Sequence, residues 1–341
     1  MKKLCCLVLG VLCLALAATP AWCDSKSAVG SKMTVKKVVI VQPNYLVPWL
    51  PIYLADQLGY FKEEGLDVGF VTVMGGHNVH AAVIKGDAHF GLTGYEQVLK
   101  TYQQGKSTKM IMTTTRLHPW SYFGSKKINS IADLKGKKID GGLEGSSYRS
   151  FARAVVKYGG LDPNKDVMFV NIPRGSEIAA LEKGDIDGVL GIDNMKIELL
   201  RRGYKPLVDM VEPAQHKAVI GYDEYPLFVV QVNDALVKND PDMIQRFTNA
   251  VVRAMYWQKS HSPAEVAAKA RPTFSSADLK VFDETIAFTL KALSPDGYFT
   301  KDGHKAAEKF GLDVEFITAP VAMVLVVDET FLKKAHEKYK K

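Results

Sequence analysis

Two stretches 98 residues apart, AAVIKGDAHFGLTG from Ala81 and AALEKGDIDGVLGI from Ala179, carry the same signals in the same order. Each reads as a helix that stops at Lys-Gly-Asp and is followed by a short apolar strand. The residues ahead of them agree as well. FVTVMGGHN (Phe70 to Asn78) and MFVNIPRGSE (Met168 to Glu177) are each a strand, a glycine-bearing turn and a helix start. Each copy is therefore a β-turn-α-turn-β unit. Such a crossover demands parallel strands with the helix laid on the sheet. The repeat predicts two α/β lobes built alike, each a mostly parallel sheet flanked by helices, with a crevice beyond the carboxyl ends of the strands where a ligand can sit.

The remaining segments extend this pattern. VKKVVIVQ (Val35 to Gln42) is the first strand of lobe one and Trp49 to Leu58 the helix after it. ADLKGKKIDGG (Ala132 to Gly142) opens lobe two. The helix beginning near Ser146 or Ser147 shows Phe151, Val155 and Val156 on one face and ends at Gly159-Gly160. YPLFVVQVND (Tyr225 to Asp234) is an apolar strand that leads back, and Met110 to Gly124 is the forward crossing, so two segments form a hinge. The expected division is 35–122 for the first part of lobe one, 123–227 for lobe two, and 228–341 for a return to lobe one with C-terminal helices packed on it.

The N-terminus places Lys2 and Lys3 before an apolar run from Leu4 to Ala18, then Pro20 and Asp24. Residues 1–23 read as a secretory signal peptide, the run being short for a membrane span. Trp22 precedes Cys23 where a lipid-attachment signal wants a small side chain, so lipid anchoring is not expected. All four cysteines, Cys5, Cys6, Cys13 and Cys23, lie in this leader or at its end. The mature chain thus offers no thiol for a disulfide, a nucleophile or a metal site. Without Lys2 and Lys3, 42 basic residues face 37 acidic ones, a dispersed net charge of +5 that does not describe a nucleic-acid-binding protein. No oligomer is expected.

A catalytic constellation is missing. His77 and His80 lie three apart without a third ligand, the Gly-x-x-Gly pairs at 91–94 and 142–145 do not make a dinucleotide fingerprint, and neither a Gly-x-Ser-x-Gly elbow nor a phosphate loop occurs. No cofactor and no metal are expected. The loops at the strand ends are instead suited to binding. Gly76, His77 and Asn78, then Thr93 and Gly94, then Ser146, Ser147 and Tyr148 sit at helix starts, where unpaired backbone N–H groups meet a polar ligand. Asn44, Trp49, Trp120 and Tyr148 lie near the same edge and supply polar or aromatic wall. Arg174 is the one fixed cation in the loop set, and Asp193 and Asn194 close the second copy.

The string LPIYLADQLGYFKEEGLDV resembles the opening of the sulfonate, nitrate, taurine and thiamine-pyrimidine-precursor binding proteins of ABC importers. The likeness continues through GGHNVHAAVIKGDAHFGL, DLKGKKID, KYGGLDPNKDV and IAALEKGDIDGVLG. It implies a type II periplasmic binding protein that closes around a small organic or oxyanion ligand without chemistry and presents it to an inner-membrane permease. In the pyrimidine-precursor branch, Asn194 and Tyr225 fall at ligand-contacting positions, whereas Gln42 replaces a tryptophan and Leu227 stands near a missing glutamate. The fungal pyrimidine synthases resemble the same family, but the reading of their chemistry involves a cysteine-rich iron site that the mature chain cannot build. A periplasmic sensor subunit is the other alternative.

Overall fold

Among the described residues, ten strands and the helices between them are laid down in an order that repeats. The computed structural model describes residues 34–274 and 278–339; the leader and its cysteines lie outside the described residues. Strands β1 (Lys36–Gln42), β2 (Leu66–Thr72), β3 (Phe90–Gly94) and β4 (Thr108–Thr113) form the first half. They are joined by helices α1 (Leu50–Gln57), α2 (Tyr60–Glu63), α3 (Gly76–Lys85) and α4 (Tyr95–Gln103). After β5 (Ser121–Gly124), the second half repeats the scheme. Its strands are β6 (Lys137–Asp140), β7 (Val167–Val170), β8 (Gly188–Gly191) and β9 (Pro206–Asp209), joined by α5 (Ser147–Tyr158), α6 (Glu177–Lys183) and α7 (Asp193–Arg201). Helix α8 (Pro213–Ile220) and β10 (Phe228–Asn233) complete the return, and α9 (Asp234–Asn239), α10 (Pro241–Lys259) and α11 (Pro263–Ala270) follow.

The two sheets have the same plan. Sheet one runs β2-β1-β3-β10-β4 and sheet two β7-β6-β8-β5-β9. In each, the second, first and third strands of the half pair in parallel, as right-handed crossovers require. One antiparallel strand sits between the third and fourth: β10 in sheet one, β5 in sheet two. These inserted strands each adjoin a crossing, since β5 follows the link from β4 and β10 follows the link from sheet two. The result is a two-lobed architecture of two mostly parallel sheets with the same plan.

The matched helix stops have a common cause. Gly86 and Gly184 hold φ of 82° and 79°, the left-handed conformation that lets α3 and α6 end abruptly before Asp87 and Asp185. Helix α5 begins where expected, with Ser146 Oγ accepting from the Arg149 amide at 3.2 Å. Sheet one is covered by α10 (Pro241–Lys259), whose Phe247 stacks on Phe90 with ring centroids 3.9 Å apart.

The C-terminal helices differ from expectation. Helix α10 packs on α1 and α2, but α12 (Leu279–Thr289) lies against α7, and α13 (Lys301–Asp313) touches α4 as well as α5 and α8. The segment between them runs along the forward crossing. Arg116 and Leu117 donate their amides to the Ala292 carbonyl, at 2.7 and 3.1 Å, and the Ser294 amide donates to the Thr114 carbonyl at 2.9 Å. A third strap therefore joins the halves beside the two crossings. Apolar spacing showed that these helices would form, not which of two similar surfaces they would cover.

Candidate functional site

A cavity of about 700 Å³ opens between the carboxyl ends of the two sheets. Ten of the residues singled out in the sequence line it: Asn44, Trp49, Gly76, Thr93 and Gly94 from the first half, Trp120 from the crossing, and Ser146, Ser147, Tyr148 and Arg174 from the second. Most of them converge because they stand at or after the carboxyl end of a parallel strand, where this topology gathers its loops to one edge, whereas Trp120 directly precedes the antiparallel β5.

The walls are largely aromatic and aliphatic. Trp49 and Trp120 both pack edge-on to Phe228, with centroids 4.9 and 5.7 Å away and planes at 87° and 80°. Tyr148 lies 6.2 Å from Trp120. Leu46, Leu143, Ile172, Ile192 and Leu227 fill the intervals. Polar groups are few and mostly committed. Asp140, buried at the end of β6, accepts from the Gly142 and Ile172 amides at 3.1 and 3.2 Å and from the Tyr148 hydroxyl at 2.5 Å. That network pins the Tyr148 ring, and burial holds its hydroxyl far above the ordinary phenol pKa. The Arg174 guanidinium lies 4.4 Å over the same ring and 3.2 Å from the buried Glu177 carboxylate, so its charge is already answered.

Five sequence candidates do not line the cavity. His77 and Asn78 are exposed on α3, and the Asn78 amide donates to the Met74 carbonyl at 2.7 Å. His80, one turn on, faces inward and bonds Thr93 at 3.1 Å; burial lowers its pKa to about 4, so it stays neutral. Tyr225 is core. Its ring stacks near His118 with centroids 5.6 Å apart, and its hydroxyl donates to buried Glu96 at 2.9 Å. Asn194 is half-buried, and Asp193 turns to the other half, accepting from the Val47 amide at 3.0 Å. Being at a loop decides only that a residue is near the edge; the helix phase decides which way it faces.

Sequence reasoning missed Asp140, Gln97, Leu143 and Phe228. Asp140 had a readable signal, an acid closing the strand Lys137–Asp140 just before Gly141-Gly142. Phe228 was hidden in a continuous apolar run. At the edge of the cavity the halves touch: the Gln97 amide donates to the Gly145 carbonyl at 3.0 Å, and a Cβ placed on Gly94 would come within 2.4 Å of Ser147 Oγ. Among the described residues no cluster of three His, Cys, Asp or Glu could hold a metal, and no helix is long and apolar enough to cross a membrane.

Proteins similar to this chain in sequence or shape include both binding proteins and enzymes. YtlA of Bacillus subtilis, which carries the name of a binding protein, is 24% identical over 272 residues, 77% of this chain and 79% of its own. The riboflavin-binding protein RibY of Chloroflexus aurantiacus is 25% identical over 276 residues, 75% of this chain and 74% of its own. The 4-amino-5-hydroxymethyl-2-methylpyrimidine phosphate synthase of Aspergillus parasiticus is 25% identical over 281 residues, 77% and 80% of the two chains. Among solved structures, a protein of Bordetella bronchiseptica RB50 superposes with a TM-score of 0.79 at 28% identity, covering 89% of this chain and 98% of its own. The alkanesulfonate-binding protein SsuA of Xanthomonas axonopodis, bound to MOPS, shares the fold with a TM-score of 0.67 at 16% identity, covering 86% and 99%. The family model described as NMT1/THI5 like matches residues 48–265. Its span takes in both halves and most of the cavity wall, and the chain belongs to the NMT1/THI5-like family.

Proposed function

We propose that this protein is the periplasmic solute-binding component of an ABC importer, and that its solute is a flat, largely uncharged heteroaromatic molecule. The protein acts as a monomer, holds the solute between its halves, hands it to an inner-membrane permease and breaks no bond. The observation that carries the ligand class is the cavity itself. Its volume of about 700 Å³ suits an organic ring system, and Trp49, Trp120, Tyr148 and Phe228 offer faces and edges to one.

Charge argues in the same direction. A nitrate or a taurine-like sulfonate carries a full negative charge, which in a partly desolvated site needs an unanswered cation or several convergent N–H groups. Here Arg174 is paired with Glu177, and Asp140 adds a carboxylate to the wall. A four-atom oxyanion would also leave most of the space to water. The family relationship to RibY and to pyrimidine phosphate synthases supports a heteroaromatic solute as well.

Thermal shift of the mature protein against pyrimidines, flavins, aromatic acids, taurine and nitrate tests this reading. A rise confined to uncharged heteroaromatic compounds is expected. A rise confined to taurine or nitrate overturns the ligand class, and catalytic turnover of any of them overturns the binding role.

A further inference from the structure

The spacing that reveals the repeat also relates two hydrogen bonds between the halves. Adding 98 to Tyr95 gives Asp193, the first residue of the corresponding helix, α7. The start of α4 and the start of α7 each reach the other half. Gln97 Nε2 on α4 donates to the Gly145 carbonyl, just before α5, at 3.0 Å. Asp193 Oδ2 on α7 accepts from the Val47 amide, just before α1, at 3.0 Å. In both cases the helix after the third strand of one half bonds the loop after the first strand of the other. The roles are reversed, one side chain donating and the other accepting.

We infer that Gln97, at the rim of the cavity, and Asp193, outside it, are a reciprocal pair of positioning residues that latch the two halves. Asp193 bears the stronger marks. Its φ of 43° puts a non-glycine residue in the left-handed region, a conformation that persists only where surrounding contacts hold it. Its neighbour Ile192 lines the cavity, as do Leu46 and Trp49 on either side of Val47, so the bridge is continuous with the solute wall.

The latch is sensitive to pH in a defined direction. Burial raises the Asp193 pKa to about 7, against the Val47 hydrogen bond and the charge of Arg174, both of which lower it. Of the other groups packed nearby, Tyr53 on α1 bonds Gln42, Lys196 on α7 bonds Asp209, and on α12 Asp283 and Glu284 pair with Arg271 and Arg201. A carboxyl whose pKa is higher latched than unlatched binds a proton on latching. Latching is therefore favoured at low pH and weakens as pH rises through about 7.

This inference takes its purpose from the solute-binding reading, but its test needs no solute. Amide exchange at Val47 in the unliganded mature protein reports the bridge directly. Asp193→Ala is expected to lower Val47 protection about tenfold or more, and Asp193→Asn, which keeps an acceptor and tolerates the left-handed backbone, to restore it. In the wild type, protection is expected to be several-fold greater at about pH 6 than at about pH 8, after correction for intrinsic exchange, and in Asp193→Asn to be flat. Should Asp193→Ala not fold, the pH comparison between wild type and Asp193→Asn decides alone. Val47 protection unchanged in Asp193→Ala, or the same pH profile in Asp193→Asn as in wild type, overturns the latch. A failure of heteroaromatic compounds to bind would leave this result standing and remove only the ligand class.

Discussion

The two halves share a plan and divide the work unequally, as corresponding positions show. Tyr95 and Asp193 each begin the helix after the third strand. Tyr95 is buried in the first half, its hydroxyl 2.6 Å from His304 Nδ1 on α13, whereas Asp193 leaves its own half and bonds Val47 in the other. Gln42 and Asp140, also 98 apart, each end a first strand and each accept from a tyrosine hydroxyl, Tyr53 at 2.7 Å and Tyr148 at 2.5 Å. Only Asp140 reaches the cavity. The first half is covered by α10, while the second presents shorter strands and more of its polar loop chemistry to the cleft. One plan is used twice, and the second copy supplies more of the polar side of the site.

The largest expected effect that separates the copies is at the strand ends. Asp140→Ala leaves two buried amides and the Tyr148 hydroxyl without their acceptor, so urea unfolding should show a loss of about 3–5 kcal/mol. Gln42→Ala removes a single neutral acceptor and should cost about 1–3 kcal/mol. Equal losses would erase the asymmetry. Next comes the contact between halves at Gly94. Gly94→Ala drives a methyl against Ser147 Oγ, and solute affinity should fall about tenfold with little change in the unliganded melting temperature. Adding Ser147→Gly should recover most of the loss; no recovery would place the effect in the first half alone.

Tyr148→Phe is a gentler probe of the same wall. It removes one hydrogen bond to Asp140 and keeps the ring, and should lower stability by about 1–2 kcal/mol while a ring-stacking solute still binds. The smallest effect is expected for Gln97→Ala. The lost bond is neutral and partly solvent-accessible, so calorimetry should find affinity reduced about two- to fivefold, less than for Asp193→Ala.

Much of this asymmetry lay below what sequence patterns convey. The repeat was legible because Lys-Gly-Asp stops and apolar strands are local signals, read from a few adjacent residues. The site edge was legible because parallel topology gathers the loops that follow Gln42, Thr72, Gly94, Asp140 and Val170. Direction was not. His77 and Asn78 stand on the outward side of α3, and Tyr225 turns into the core because Glu96, 129 residues away, supplies its partner. Asp193 was singled out as a ligand contact, and only the neighbouring half explains why its carboxylate turns aside. The placement of α12 and α13 across both halves likewise depends on contacts that no local window contains.

One flat solute is expected to be held in this cavity and to leave unaltered. Native mass spectrometry of the mature protein with a heteroaromatic compound selected by thermal shift, followed by denaturation and identification of what is released, tests it most directly. A single added mass per chain, absent in Trp120→Ala and recovered chemically unchanged, is the predicted result. No stoichiometric adduct, an adduct that survives in Trp120→Ala, or a released compound of altered mass would contradict the account.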